Sequence, residues 1–197
     1  MKETAKCQAM REARGDFNAY LHGNGIDIGC GDDVLRVKNG LVLGWDKQQG
    51  DASLLQGIAD GSRDFVYSSH CLEHLVDVHI AVKNWARVLK PGGFMYVAVP
   101  DYFYYEKCRW PSVFNTDHKQ SFSLELTREK VNRRNHWNIR ADLGPVLYGL
   151  SMKLIISSLE LDGYDWNNGH LDQTTRGALS QICFVAVKGA NTLPPKA

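Results

Sequence analysis

Gly25-Ile26-Asp27-Ile28-Gly29-Cys30-Gly31 is the stretch from which the rest of the chain can be read. It predicts a short buried strand running into a tight turn, because two glycines allow backbone geometry and close ligand approach that any Cβ would obstruct. Asp27 is costly to bury inside such a strand. It is expected to be satisfied by backbone N–H groups, as a structural acid under the turn, or by a ligand's donors. A short helix is predicted over Asp33 to Val37. Strand, glycine turn and helix start form the nucleotide-binding corner of an open parallel sheet. A dinucleotide fingerprint, G-x-G-x-x-G, needs a third glycine where Val34 stands, which weakens a nicotinamide or flavin reading.

The 197 residues suit one domain with a sizeable core, taken here as 1–197. Hydrophobic content of 44% and charged content of 23% are those of an ordinary globular protein. A formal net charge of +1 gives no field for steering onto phosphate backbones, so nucleic acid is disfavoured as a partner. The basic run Arg128, Lys130, Arg133, Arg134 and Arg140 is read as a solvated helix face. Five scattered cysteines without a C-x-x-C pair argue against a disulfide framework or zinc ribbon and for a reducing compartment. With no signal core and no apolar run near 18 residues, the expectation is a soluble cytoplasmic protein away from membranes.

Outward from the glycine corner, residues 2 to 20 predict a helix over the sheet edge or the cofactor cleft. Leu41 to Trp45 predicts a second strand ending at Asp46. Only Lys47 to Gly50 separate Asp46 from Asp51-Ala52-Ser53, too few for a parallel crossover. A trimmed sheet edge follows, with the third strand and its preceding helix missing or reduced and the Lys47–Gln56 loop over the cofactor. Phe65 to Ser68 reads as a strand, and Asp77 as the N-cap of a helix through Lys90, where Pro91-Gly92-Gly93 ends it. Phe94 to Val99, Lys153 to Leu161 and Gln181 to Lys188 read as further strands. Alternation at this spacing predicts an α/β protein with a Rossmann-like, open, mostly parallel sheet flanked by helices. Tyr102, Phe103, Tyr104, Tyr105, Trp110 and Phe114 interrupt the pattern, and 102–138 is expected to be a substrate-side cap or insertion. Leu124 to Arg134 could form a helix. Asn191 to Ala197 is expected to be a loose tail.

Four segments in order resemble the class I S-adenosylmethionine-dependent methyltransferases. They are Asp27-x-Gly29-x-Gly31, Asp46 at 17 residues after Gly29, Asp64-Phe65-Val66-Tyr67-Ser68-Ser69-His70-Cys71-Leu72-Glu73-His74-Leu75, and Trp85-Ala86-Arg87-Val88-Leu89-Lys90-Pro91-Gly92-Gly93. The resemblance is to the small-molecule, methyltransferase type 11-like members and covers about residues 24 to 101. Asp33 stands where motif I often ends in glycine. The resemblance implies S-adenosyl-L-methionine as cofactor, S-adenosyl-L-homocysteine as product and a seven-stranded sheet with a reversed last strand, from which the short interval after Asp46 removes the third strand. It also implies that Gly29, Cys30 and Gly31 meet the methionine part through backbone and that Asp46 accepts both ribose hydroxyls. Asp51 and Ala52 would then lie on the adenine side. Asp27, Ser68 and Ser69 complete the expected cofactor contacts.

His70-Cys71-Leu72-Glu73-His74 also matches the H-x-x-E-H pattern of inverted zinc proteases. That pattern needs the middle of a long helix and another ligand, so no metal is expected. Cys71 lacks the preceding proline of pyrimidine-C5 enzymes. His70, at a strand end beside the cofactor's reactive part, and His118, next to Asp117 in a loop over the cleft, are the candidate catalytic bases. The expected reaction is methyl transfer to a small-molecule acceptor bearing a sugar-like or aromatic hydroxyl, at oxygen rather than nitrogen. Cofactor binding without turnover, as a partner or regulatory subunit, is the alternative, ahead of a dinucleotide-dependent oxidoreductase. Acceptor, methylated atom and oligomeric state are not legible in the sequence.

Overall fold

The computed structural model describes residues 3–189. The helical prediction at Lys2 and the tail at 191–197 lie outside those residues. Successive elements are α1 (Glu3–Arg14), α2 (Asp16–Ala19), β1 (Gly25–Ile28), β2 (Val42–Trp45), β3 (Arg63–Ser69), a 3-10 turn (Leu72–His74) and α3 (Val78–Val88). They continue with β4 (Leu89–Pro100), β5 (Ser121–Ser123), α4 (Arg128–Val131), β6 (His136–Asn138), a π-helical turn (Ile139–Leu143) and α5 (Gly144–Gly149). β7 (Met152–Glu160) and β8 (Gln181–Lys188) close the chain. Among the described residues the main sheet has six strands in the order β2-β1-β3-β4-β8-β7, and β5 pairs with β6 separately. β1 to β4 are mutually parallel, while β8 is antiparallel to both its neighbours. That is the reversed last strand the resemblance implies.

Alternation along the strands divides the core in two. Ile26, Ile28, Val66, Met95, Val97, Val99, Ile182 and Phe184 face one side, where they bury Trp85 and Val82 of α3 with Leu143 and Leu147. Phe65, Tyr67, Tyr96, Cys183 and Val185 face the other, with Phe17, Leu21 and Leu35. α1 lies on this second face and not along the edge or the cleft. Its Arg11, fully buried, stacks its guanidinium over the rings of Tyr67 and Tyr96 at 4.9 and 5.5 Å. Gly15, at φ 78°, breaks the predicted single N-terminal helix into α1 and α2.

The trimmed edge is present: β2 is the outermost strand on its side, and residues 46–62 contain no strand. The helix expected over Asp33 to Val37 does not form. Leu35 instead turns inward, its N–H donating to Asp27 Oδ2 at 2.7 Å, and Asp33 Oδ2 accepts from Ala5 N–H at 2.9 Å. Those bonds tie the segment to β1 and α1, leaving it extended. α3 starts at the expected cap, where Asp77 Oδ1 accepts from Ile80 N–H at 3.0 Å. It ends at Val88, two residues early, because Leu89 already belongs to β4. The helix expected over Leu124–Arg134 shrinks to α4, which Asn132 closes at φ 50°.

A Cβ on Gly25 would fall inside the buried ring of Phe65. Gly25→Ala is expected to cost about 1–3 kcal/mol and to lower Tm by roughly 3–10 °C. Thermal unfolding of the two proteins measures this, and an unchanged Tm would contradict the packing of β1 against β3.

Candidate active site

The carboxyl ends of β1, β2 and β3 surround a cavity of about 550 Å³, within the ordinary range for a small-molecule site. Its walls are Gly29, Asp46, Lys47, Gly50, Asp51, Ala52, His70, Cys71, His74, Leu75, Asp117 and Lys119. Gly29 (φ 77°) and Gly31 (φ 54°) carry the turn in left-handed geometry. A Cβ on Gly29 would run into the side chain of Cys71, so the turn and the end of β3 pack directly together.

Asp46 Oδ2 accepts from Gly31 N–H and its Oδ1 from Lys47 N–H, each at 2.6 Å. These bonds fix the carboxylate at the cavity and leave each oxygen a lone pair for a further donor. One carboxylate oxygen of Asp51 accepts from Ser53 N–H at 2.7 Å. Trp85 Nε1–H donates to Ala52 O at 2.8 Å, holding that part of the loop against α3.

The predicted site residues separate into two groups. Gly29, Asp46, Asp51, Ala52 and His70 line the cavity. Cys30 turns its thiol toward β2 beside Gly44, and Ser68 Oγ–H donates to Ile28 O at 3.0 Å inside the sheet. Ser69 is buried. Gly31 reaches the cavity wall through its bond to Asp46. Asp27 is buried under the turn as a structural acid. Burial pushes its carboxyl up to about 7, against the opposing pull of the Leu35 N–H and of Arg11. Lys47 belongs to the loop expected over the cofactor and Asp117 to the loop expected over the cleft, whereas His74 and Lys119 join the cavity wall without having been singled out for it. The lysine and aspartate positions carry no motif, and their place depends on how 115–120 folds back.

That return is set by the backbone. The carbonyl of Glu73 accepts from both Lys119 N–H (2.8 Å) and Gln120 N–H (2.9 Å). Gln120 Nε2 donates to the carbonyls of Leu75 and Val76. His118 is thereby carried to the 3-10 turn, behind the main cavity. A second, smaller cavity of about 160 Å³ opens there between His70, Glu73, His74, Tyr105, Asn115, His118 and Thr174. His70 and His74 line both cavities. His70 sits at φ 55°, a strained conformation for a non-glycine residue, and its Nε2 lies 2.8 Å from Gln181 Oε1. His118 Nδ1 is 2.7 Å from Glu106 Oε1, and His74 Nδ1 is 3.0 Å from Asp117 Oδ2.

Glu73 is buried in the middle of these imidazoles. Desolvation pushes its carboxyl up, but His70, His74 and His118 together outweigh that and leave it below the usual glutamate range. Burial, then the charges of Glu73 and Asp46, push the Cys71 thiol up to about 12. Cys71 therefore lines the cavity as an uncharged wall and not as a thiolate nucleophile.

A family model described as a methyltransferase domain matches residues 34–97. No curated protein matches the sequence. Solved structures share the fold over nearly the whole chain. A Methanosarcina mazei S-adenosylmethionine-dependent methyltransferase is 17% identical, with 89% of this chain and 98% of that one covered at a TM-score of 0.57. A Thermotoga maritima S-adenosylmethionine-dependent methyltransferase, described as a possible histamine N-methyltransferase, is 19% identical over 91% and 88% at 0.56. A Haloferax volcanii complex of the Trm112 methyltransferase activator with a methyltransferase contains a chain 15% identical over 94% and 94% at 0.52. Residues 34–97 thus match a methyltransferase domain, and the whole chain has the fold of S-adenosylmethionine-dependent methyltransferases. The methyl donor of those neighbours is, by their names, S-adenosylmethionine. The cavity fits that molecule: a side-chain-free bend lies on one side and a fixed carboxylate with spare acceptor capacity on the other.

Asp27 gives the corner a measurable pH signature. Its carboxyl is raised in the folded state, so the fold holds its proton from about pH 4 to about 7 while the unfolded chain has lost it. The folded state then binds more protons, and stability contributed by this group falls as pH rises through that window. Chemical denaturation of wild type and Asp27→Asn across pH 4–8 is expected to show wild type losing stability relative to the variant. A constant difference would contradict the assignment.

Proposed function

We propose that this chain methylates a hydroxyl on a small sugar-like or aromatic acceptor, held in the smaller cavity and presented to the larger one. The observation that carries this reading is that His70 and His74 form a shared wall between the two cavities. Bound S-adenosylmethionine supplies an electrophilic methyl group on a cationic sulfur that is already a good leaving group. The protein has to hold the acceptor in line and remove its proton.

Asp46 is suited to accept the ribose hydroxyls through its remaining lone pairs. The Ala52 segment, fixed by Trp85, supports the adenine side of the cavity. The Gln181 carbonyl oxygen takes the His70 Nε2–H, because the amide nitrogen of Gln181 donates to Glu160 Oε2 at 2.6 Å. Nδ1 is then the basic nitrogen of His70, and Glu73 Oε1 at 3.6 Å stabilises the imidazolium formed when it takes the hydroxyl proton. A neutral amine would need no such base, which favours oxygen over nitrogen as the methylated atom. His118 acts from behind, beside Glu73, as a positioning residue. Free cysteines fit a reducing, cytoplasmic setting. Among the described residues no helix is long and apolar enough to cross a membrane.

A second reading, cofactor binding by a chain that works as or with a partner subunit, is favoured by the open β2 edge, where Leu41 is 77% exposed. The neighbour seen in complex with the Trm112 activator points the same way.

Calorimetry with S-adenosylhomocysteine is expected to show binding to wild type and a loss of about tenfold or more with Asp46→Ala. Equal affinities would remove Asp46 from the site. Tritiated S-adenosylmethionine with fractionated cell extract is expected to label a small molecule. His70→Ala is expected to keep S-adenosylhomocysteine binding while transfer falls by about 10²–10⁴. Binding without transfer to any fraction would support the second reading instead.

A further inference from the structure

Glu73 is 1% exposed, and neither of its carboxylate oxygens has a hydrogen-bond partner among the described residues. An ionised carboxylate buried in that state costs several kcal/mol unless an opposite charge meets it. Besides His70 Nδ1 at 3.6 Å, two imidazole nitrogens converge on its Oε1: His74 Nε2 at 3.8 Å and His118 Nε2 at 3.9 Å. Both are too far for a hydrogen bond. The other nitrogen of each ring faces a carboxylate, Asp117 for His74 and Glu106 for His118. Those bonds hold the proton on Nδ1, so in the neutral rings both Nε2 lone pairs face the carboxylate. Three electron-rich atoms aimed at one point repel each other unless a proton or another cation lies between them.

We propose that Glu73, His74 and His118 bind a divalent transition-metal cation beside the cofactor cavity. One ligand atom from each of the three lies within 4.8 Å of the others. Bonds of about 2.1 Å separate tetrahedral ligand atoms by roughly 3.4 Å, so a slight contraction closes the set. Carboxylates behind metal-bound histidines are the usual device for fixing their tautomer and raising their basicity, and both histidines have one. Two imidazoles with one carboxylate suit zinc, manganese or ferrous iron more than magnesium or calcium.

The sequence reading rejected a metal because H-x-x-E-H was not set in a long helix. Residues 72–74 are indeed a single 3-10 turn, but the additional ligand arrives from 44 residues further on, through the double bond of the Lys119 and Gln120 amides to the Glu73 carbonyl. His70, on the cofactor side, is outside the ligand set and remains available as the base. Resting on the methyl-transfer reading, the open positions of the cation face the smaller cavity and would take an acceptor oxygen. Coordination lowers the pKa of that hydroxyl, whose proton passes to His70 as its oxygen bonds the methyl carbon and the C–S electron pair stays on sulfur.

Tag-free full-length protein, treated with chelator and dialysed, is titrated calorimetrically with zinc chloride and, separately, with manganese chloride. One site per chain is expected for at least one of the two metals. Glu73→Gln and His118→Ala are each expected to weaken it by more than 100-fold, and Glu106→Gln by about 10–100-fold. His74→Ala, at a partly exposed ring, provides a variant that should fold if the buried ones do not, with circular dichroism as the check. No binding of either metal by wild type up to millimolar concentration, or equal affinity in wild type and His74→Ala, overturns the proposal. S-Adenosylhomocysteine titrated into the same samples separates the two readings. Binding of S-adenosylhomocysteine by protein that takes up neither metal sinks the cation and leaves the methyltransferase, whereas metal binding without S-adenosylhomocysteine binding leaves the cation site standing alone.

Discussion

The cofactor cavity depends on a loop that has no ladder of its own. Between β2 and β3 the chain runs through residues 46–62 without a strand, so its backbone carbonyls must find partners elsewhere. One face of α3 supplies them. Trp85 donates to Ala52 O, Asn84 to Ser53 O, and Arg87 to the carbonyls of Leu54, Leu55 and Ile58. The five donors of a guanidinium and their planar fork make arginine suited to gathering several carbonyls at once. A shortened sheet edge is therefore compatible with a rigid wall, because a helix in the adjoining layer does what a further strand would have done. One of these donors, Trp85, also sits in the apolar face that packs α3 on the sheet, so core packing and cavity shape are coupled.

The parts of this arrangement that were legible in the sequence are those governed by local rules. Short apolar runs marked the strands, Asp77 marked the start of α3, and the short interval after Asp46 marked the trimmed edge. The Asp33–Val37 helix was misread because its competitor is not local. Leu35 is drawn into the second core by Phe17, Leu21 and Tyr67, and its amide is taken by Asp27. The extent of α3 was overestimated because Pro91 and the glycines looked like a helix end, whereas Leu89 and Lys90 already run in β4. The segment from Tyr102 to Asn138 could only be recognised as irregular. Its course is fixed by side chains reaching across it, such as Trp137 Nε1–H to Gln120 Oε1 at 3.0 Å, and such pairs leave no periodic trace.

The site itself was legible in part for the same reason. Gly29, Asp46 and His70 stand immediately after strands, where position along the sheet fixes position in space, whereas Asp51 and Ala52 were placed by the family resemblance. His118 belongs to the irregular segment. Its neighbour Asp117 suggested a His–Asp pair, yet Asp117 bonds His74 and His118 bonds Glu106. Adjacent residues in an extended loop point in different directions, so the pairing in sequence becomes two crossed pairs in space.

Two buried carboxyls at the ends of neighbouring strands show how the fold separates structure from chemistry. Asp27 and Glu73 are both almost completely enclosed. Asp27 has one backbone amide and a guanidinium on the far side of its layer, and burial dominates, raising it to about 7. Near neutrality it can shed its charge by taking a proton, at no loss to the Leu35 bond, which a neutral carboxyl oxygen still accepts. Glu73 has no donor within hydrogen-bond range among the described residues but three imidazoles around it, and their influence outweighs its burial in the opposite direction. Its charge is retained where a satisfied structural acid would have lost it. An ionised, undonated carboxylate is poorly explained as a support for the fold, since a neutral isostere in the same space would avoid the desolvation penalty altogether. It is well explained by a cation held against it, whether a protonated imidazole or the metal proposed between Glu73, His74 and His118.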